Sequence, residues 1–343
     1  MTEIIENSVA ESEWCRFLKD CPGATIYHTP EWKRFLEQTF QYKPHYLFAT
    51  DNSGNIVGLL PLFHVRSRLT GNRLCSVPFS HECGCLGDQE VCATLVDEAI
   101  AIRAKNTIDK IEIRNFSGHE GFRRIQYFST HLLDLSANPE DTWKLLEKGS
   151  VRWAVKKAKN LGVTVSTSPH IDDLKKFHEL NRITKQNLGV PSHPWKFFEN
   201  LFSTLDGYVT LYLSYFENQI IGGGIMVRYK EHVLYGYGAA DPDFRHLHPY
   251  NAFIWKSIED ACIQGYRCFD FGRTSFTDAG LIQFKKKWGT REKKLYYSLY
   301  PDSSKMSMPS RDSSLYRLAN AGIRYMPMPV YSKFSDRIFS HFG

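Results

Sequence analysis

An internal echo constrains the fold more than any other feature of this sequence. The segment HYLFATDNSGNIVGLLPLFHV, from His45 to Val65, reads apolar run, polar turn, apolar run. VTLYLSYFENQIIGGGIMVRY, from Val209 to Tyr229, has the same layout. Both turns end in Ile-x-Gly, at Ile56-Val57-Gly58 and Ile220-Ile221-Gly222. Strand-length apolar runs on either side of turn residues predict a β-hairpin at each place. Each hairpin is followed by a helical pattern and one more apolar strand. In the first half these are EVCATLVDEAIAIRAK and KIEIRNF, and in the second NAFIWKSIEDACIQG and RCFDFG. Val91, Leu95, Ala99 and Ile102 recur on one helical face. Two unrelated α/β segments would share this order only by coincidence. A chain of 343 residues is long enough to build the unit twice, each with its own core. The expected fold class is therefore α/β (α+β), with mixed sheets flanked by helices and two similar units in tandem. The expected boundaries are 1–138, 139–300 and a tail from 301 to 343.

Several classes of function lack support. The longest apolar run, IVGLLPLF from Ile56, is strand-sized and far short of the roughly 18–20 residues of a membrane span. The N-terminal MTEIIENSVAESEW is acidic and has no apolar signal core, so a cytoplasmic location is expected. The eight cysteines then read as free thiols. Cys75, Cys83, Cys85 and Cys92 cluster near His81 but lack the C-x2-C spacing of a zinc knuckle, and no metal site is assigned. A net charge of +6 permits a phosphate-bearing partner without requiring one. There is no Walker loop, dinucleotide-binding glycine loop, G-x-S-x-G elbow or H-E-x-x-H.

Two basic stretches carry the chemistry. Between the units, NPEDTWKLLEKGSVRWAVKKAKNLGVTV starts a helix at Asn138-Pro139 and ends one at Gly162. Arg152, Lys156 and Lys159 flank its apolar stripe, either as snorkelling cations or as an anion clamp. In the second, FDFGRTSFTDAGLIQFKKKWG, a core strand runs through Gly272 into a short helix. Helical spacing sets Leu281, Phe284 and Trp288 on a buried face, with Lys285 at its border and Lys286 and Lys287 turned outward. Before that strand, HVLYGYGAAD alternates Tyr235 and Tyr237 with Gly236 and Gly238. One face is nearly bare, open to a ligand or to a closely packed helix.

From about Thr25 to Leu299 the chain resembles the FemABX family of peptidyl aminoacyl-transferases and its GNAT-like acyltransferase relatives. The resemblance is carried by HTPEWKRFLE, SVPFSHECGCLGD, RWAVKKAKNLGVTV, the run from GGGIMVRY to IEDAC, FDFGRT and GLIQFKKKWGTREKKLYY. It implies two tandem GNAT-like domains and acyl transfer to an amine. The implied donor is an aminoacyl-tRNA or an acyl-CoA, with no tightly bound cofactor. The implied acceptor is a nucleotide- or lipid-linked precursor of peptidoglycan or of another cell-wall or exported polysaccharide. Three features depart from the pattern. The helical arm of some members is missing. RHLHPY, from Arg245 to Tyr250, lacks both glycines of the usual CoA loop. Arg273 stands where a further glycine is frequent.

On this reading Lys285 stabilises an oxyanion or an adjacent phosphate, and Asp270 orients a group or accepts the proton. Arg152 and Lys156 meet acceptor phosphates. Lys33 and the loop Ser80-His81-Glu82 are further acceptor candidates, Tyr237 and Tyr250 line the donor channel, and Arg273 borders the site. The alternatives are a CoA-dependent N-acyltransferase acting on a sugar or sugar nucleotide, and a non-catalytic protein that binds a glycan precursor or RNA. The basic, aromatic tail docks on the body, pairs with a partner or touches a membrane surface. The sequence does not set the oligomeric state.

Overall fold

The second hairpin closes through two residues, Glu217 and Asn218, both in the left-handed region (φ 48° and 65°). That is the backbone of a tight turn whose twist matches the flanking strands. The first closes through a longer turn in which the Asp51 carboxylate accepts the N–H groups of Ser53 and Asn55 at 2.8 and 2.9 Å. The computed structural model describes residues 3–116, 118–303 and 314–342.

Along the chain, β1 (Glu3–Glu6), α1 (Glu11–Asp20) and α2 (Pro30–Phe40) precede the hairpin β2 (Lys43–Thr50) and β3 (Ile56–Ser67). Then come β4 (Gly71–Cys75), α3 (Gln89–Lys105) and β5 (Lys110–Arg114). β6 (Arg123–Asp134) leads to α4 (Pro139–Leu145), α5 (Trp153–Asn160), β7 (Thr164–Ser168), α6 (Ile171–Asn187) and α7 (Trp195–Thr204). The second hairpin, β8 (Val209–Phe216) and β9 (Gln219–Tyr229), is followed by β10 (His232–Ala240), α8 (Pro249–Ile263) and β11 (Cys268–Ser275). The chain ends with α9 (Ala279–Lys286), β12 (Arg291–Tyr300), α10 (Ser314–Arg324) and α11 (Met328–Ile338).

Two compact units result, and they are not successive lengths of chain. One comprises residues 1–127, 294–309 and 340–343, the other 128–293 and 310–339. In the first, the strand order is β1-β2-β3-β4-β5-β12. β2, β3 and β4 are antiparallel, α3 crosses over, β5 returns parallel to β4, and β12 closes antiparallel to β5. In the second the order is β7-β8-β9-β10-β11-β6 with the same pattern: antiparallel β8-β9-β10, crossover α8, parallel β11, antiparallel β6. KIEIRNF and RCFDFG thus hold the same topological position. Each unit takes its closing strand from beyond the repeat, β6 lying before its unit's hairpin and β12 far after.

Apolar side chains set the cores. In the first unit Leu95, Val96 and Ala99 of α3 pack with Leu60, Leu62, Ile111 and Ile113. In the second, Phe253, Ile254 and Ile258 of α8 pack with Leu133, Phe269, Phe271 and Trp288. A fully buried Leu, Ile or Phe contributes about 1.5–3 kcal/mol.

The first part of the tail, PDSSKMSMPSRDSS at 301–314, has the composition of a linker and lies largely outside the described residues. The tail beyond it docks on the second unit. Tyr331 is fully buried and donates its hydroxyl to Val190 O at 2.9 Å, and the Gln186 amide donates to Met326 O at 2.5 Å. Among the described residues no helix is long and apolar enough to cross a membrane.

Candidate active site

The three lysines of QFKKKWG have three different fates. Lys285 is 4% exposed, and its ammonium donates to Gly272 O at 2.6 Å and Arg273 O at 3.4 Å. Lys286 and Lys287 are exposed and pair with Glu292 and Glu147 at 3.7 and 3.6 Å. The expected inward turn of Lys285 is present, but the face differs from expectation. Leu281 is exposed, while Lys285 itself and Trp288 point inward, with the Trp288 ring 5.6 Å from that of Phe271. The helix is short. Its cap, Asp278, accepts the Leu281 N–H at 3.1 Å, which leaves the first turn on the surface.

The carbonyls that hold Lys285 come from a distorted strand end. β11 shifts register against β6 between Asp270 and Arg273, and Gly272 adopts φ 70°. That conformation costs a residue with a Cβ about 1–2 kcal/mol, which explains the glycine. The Asp270 carboxylate shapes the kink, accepting the Gly272 N–H at 2.8 Å and the Thr130 hydroxyl. A bulge of this kind re-aims backbone groups, and here it turns two carbonyls toward one ammonium.

Burial pushes the Lys285 ammonium down to about 8, against the opposing pull of Asp270 and Asp278 and with a further push from Arg273. At neutral pH the group is a desolvated cation whose field is little damped by water. Two carbonyls engage it among the described residues, and an ammonium has three N–H donors.

A residue that the sequence reading did not single out lies beside it. His131 on β6 is fully buried, and neither ring nitrogen has a partner among the described residues. Burial holds it well toward the neutral form, and the Lys285 charge adds to this. It alternates with Leu133, so it shares the face of Phe269, Phe271 and Trp288. The signal in the sequence is a histidine inside the otherwise apolar run of FSTHLLD.

The junction stretch belongs to the same unit and touches the lysine stretch. Between α4 and α5 the backbone forms a π-turn, Lys148–Arg152, a feature frequent at functional sites. Glu147, which precedes it, donates its N–H to Lys287 O at 2.9 Å, and its carboxylate pairs with the Lys287 ammonium at 3.6 Å. Arg152 is half-buried at the end of this turn, with its Nε enclosed and unpartnered among the described residues. Lys156 is exposed one turn on. Arg273 is exposed, with its guanidinium 4.4 Å from the Phe128 ring.

The bare face expected along β10 is filled. β10 shifts register against β9 between Tyr235 and Tyr237, leaving Gly236 as an extra residue. The two tyrosines therefore point to opposite faces, not to one. Tyr235 packs near Phe253 and Phe271, whereas Tyr237 packs 4.9 Å from His193 and 5.4 Å from Phe197. The Tyr235 hydroxyl lies where a Cβ at Gly238 would be, so a side chain of the same strand takes the space. Tyr250 stands in the first turn of α8 with its ring 5.5 Å from Phe253.

The other candidates lie in the first unit. The Lys33 ammonium is 5.5 Å from the Tyr46 ring centroid. Ser80 is buried and donates its hydroxyl to Val77 O at 2.7 Å. His81 is buried, with Nδ1 2.9 Å from the Tyr27 hydroxyl, and its carbonyl accepts from Tyr297 at 3.1 Å. Glu82 accepts the Asn115 amide at 3.1 Å. Beneath this loop the Arg114 guanidinium donates to Val77 O at 3.1 Å and Ser80 O at 2.7 Å.

Residues 148–286, a span that contains the π-turn, the bulged strand end and Lys285, match the family described as acetyltransferase (GNAT) domain. The whole chain is similar in structure to FemX, at 18% identity and a TM-score of 0.71, over 93% of this chain and 100% of that one. The fold is FemABX-like and GNAT-type. Other relatives of this fold extend the likeness. A C-terminal domain assigned to a lysylphosphatidylglycerol synthetase from Agrobacterium fabrum matches at 11% identity and a TM-score of 0.58, over 91% of this chain and 96% of that one. A tandem GNAT protein from the clavulanic acid biosynthesis pathway matches at 10% identity and a TM-score of 0.54, over 90% and 100%. No curated protein matches the chain by sequence. The tandem GNAT fold expected from the repeat and the resemblance is thus present, and Lys285 lies within the residues that match the GNAT family.

Proposed function

We propose that this chain is an acyltransferase of FemAB type, moving an aminoacyl or acyl group onto an amine of a cell-wall or polysaccharide precursor. The observation that carries the reading is the desolvated Lys285 ammonium at the bulged end of β11. The amine nitrogen attacks the carbonyl carbon of the donor's ester or thioester. The carbonyl oxygen becomes an oxyanion, the carbon–oxygen or carbon–sulfur bond breaks, and the amine's proton leaves with the departing group or to solvent. A fixed cation in a water-poor site favours the charged intermediate over the neutral reactants. Asp270 acts as a positioning residue, because its hydrogen bonds shape the strand end whose carbonyls hold Lys285.

The donor we favour is an aminoacyl-tRNA, since RHLHPY lacks both glycines of a CoA loop. The likeness in structure to FemX and to a domain assigned to a lysylphosphatidylglycerol synthetase supports a glycan- or lipid-linked acceptor. A cytoplasmic location and no tightly bound cofactor belong to the same reading. The tandem GNAT likeness supports a second reading, CoA-dependent N-acylation of a sugar or sugar nucleotide. A thermal-shift panel of acetyl-CoA, UDP-sugars, UDP-linked muropeptide and charged tRNA separates them. Stabilisation by muropeptide and charged tRNA is expected. A shift with acetyl-CoA and a UDP-sugar alone selects the second reading, and a shift with muropeptide or tRNA without transfer of the aminoacyl group between them selects the non-catalytic one.

Arg152 provides a second test. The Arg152→Ala chain should lose roughly 1.5–3 kcal/mol of acceptor affinity, the strength of a charge-assisted phosphate contact, with its melting temperature nearly unchanged. Isothermal titration with the acceptor chosen by the panel measures it. A fall in melting temperature without a fall in affinity would make Arg152 a packing residue.

A further inference from the structure

The docked tail has a second face. Tyr331 and Ser335 of α11 point into the second unit and are fully buried. Val330, Lys333 and Arg337, spaced i, i+3 and i+7, share the outer face and are all exposed. On α10 and just beyond it, Leu318 and Tyr325 are also seven residues apart. Exposure is 71% for Leu318, 88% for Tyr325 and 53% for Val330. Leu188, at the end of α6, is 56% exposed and adjoins Gly189, which lies against Asn320 of α10. Arg324 is exposed between Leu318 and Val330 in the chain. The acid of this segment, Asp336, is exposed on the flank of α11, where it lines a cleft with Lys175 and Arg182. The other exposed side chains named here are apolar or cationic.

We propose that this face of α10 and α11 docks the protein on an anionic lipid surface. The chemistry fits on both counts. Leu, Val and Tyr side chains that stand clear of the body have no protein cover among the described residues, and such groups lower their free energy in the outer layer of a bilayer. Arg324, Lys333 and Arg337 lie beside them, where the negative potential of acidic headgroups attracts each cation. A nucleic acid would use the same cations but gives no reason for exposed leucine and valine. This surface goes beyond the acyl-transfer reading and stands or falls without it.

The test is sedimentation of the full chain with phosphatidylcholine vesicles, with and without about one part in three of phosphatidylglycerol. The wild-type chain should sediment with the anionic vesicles and far less with the neutral ones. A Leu318→Ser, Tyr325→Ser, Val330→Ser variant should lose about tenfold or more in partitioning. An Arg324→Glu, Lys333→Glu variant should lose at least about 25-fold, roughly fivefold for each cation removed, with repulsion of the new carboxylates adding to it. Circular dichroism and melting temperature should match the wild type for both, since all five side chains are exposed. No sedimentation with anionic vesicles would overturn the proposal, and so would equal sedimentation of wild type and charge-reversed variant. Loss of tRNA binding in a mobility-shift assay, with vesicle binding intact, would assign the surface to RNA instead.

Discussion

Replacing Lys285 by Met should lower turnover by about 10²-fold or more, on the scale of removing one donor that stabilises an oxyanion. Met keeps the stem that packs beside Trp288 and deletes the charge. The same change at Lys286 or Lys287 should cost little. Their ammonium groups are exposed and paired with Glu292 and Glu147, and exposed charges are screened over about a Debye length. The structural role of Lys285 predicts a different signature. If its bonds to Gly272 O and Arg273 O merely fasten α9 to β11, Lys285→Met will melt earlier and turn over normally once folded. Steady-state rates and melting curves on all three variants separate these outcomes. Equal losses at the three positions would mean a diffuse basic patch.

Replacing Arg114 by Met should destabilise the chain by about 3–5 kcal/mol, the range for stranding one member of a buried ion pair. Arg114 is buried, 3.0 Å from Glu112, which is buried as well. Burial alone would raise the Glu112 carboxyl, yet Arg114 and Arg73 hold it below the usual carboxylate range. Without Arg114, Arg73 at 3.9 Å and the more weakly acting Lys110 remain. In the same step Ser80 O loses the Arg114 donor, and Val77 O, in the same loop above, loses one of its donors and keeps the Ser80 hydroxyl. That loop holds Val77 at φ 47° and Phe79 at φ 62°, conformations that non-glycine residues keep only when their surroundings impose them. Urea unfolding measures the loss. Adding Glu112→Gln to Arg114→Met should recover part of it, because the stranded charge is gone. A single-variant loss below about 1 kcal/mol would show that the pair does not clamp the loop.

The repeat was legible because its turns and crossovers carry local chemistry. Glu217-Asn218 sits between two apolar runs, and Val91, Leu95 and Ala99 mark one helical face. The five-residue β4 was not legible, since GNRLC is too short and polar to show a strand pattern. Nor was the exchange of closing strands. Pairing of β12 with β5 depends on contacts over about 180 residues of chain, which no local period encodes. Alternation along HVLYGYG put Tyr235 and Tyr237 on one face, but a bulge adds a residue and flips one of them. The inward turn of Lys285 followed from helical spacing. The reason it stays inward did not, because the carbonyls it binds are supplied by a kink at Asp270–Arg273. His131 escaped notice because its importance lies in a neighbour more than 150 residues away.

The ratio of wild-type to Lys285→Met turnover as a function of pH is the most direct measure of the central claim. A lysine is charged below its pKa, and burial places that of Lys285 at about 8. If the cation does the work, the ratio should be large and flat below that pH and fall toward one as pH rises through it. Deprotonation of the attacking amine affects both enzymes alike and cancels in the ratio. A ratio that climbs through pH 8 would make the neutral amine the active form, a base and not a fixed charge. A ratio near one throughout would contradict any role for Lys285 in acyl transfer.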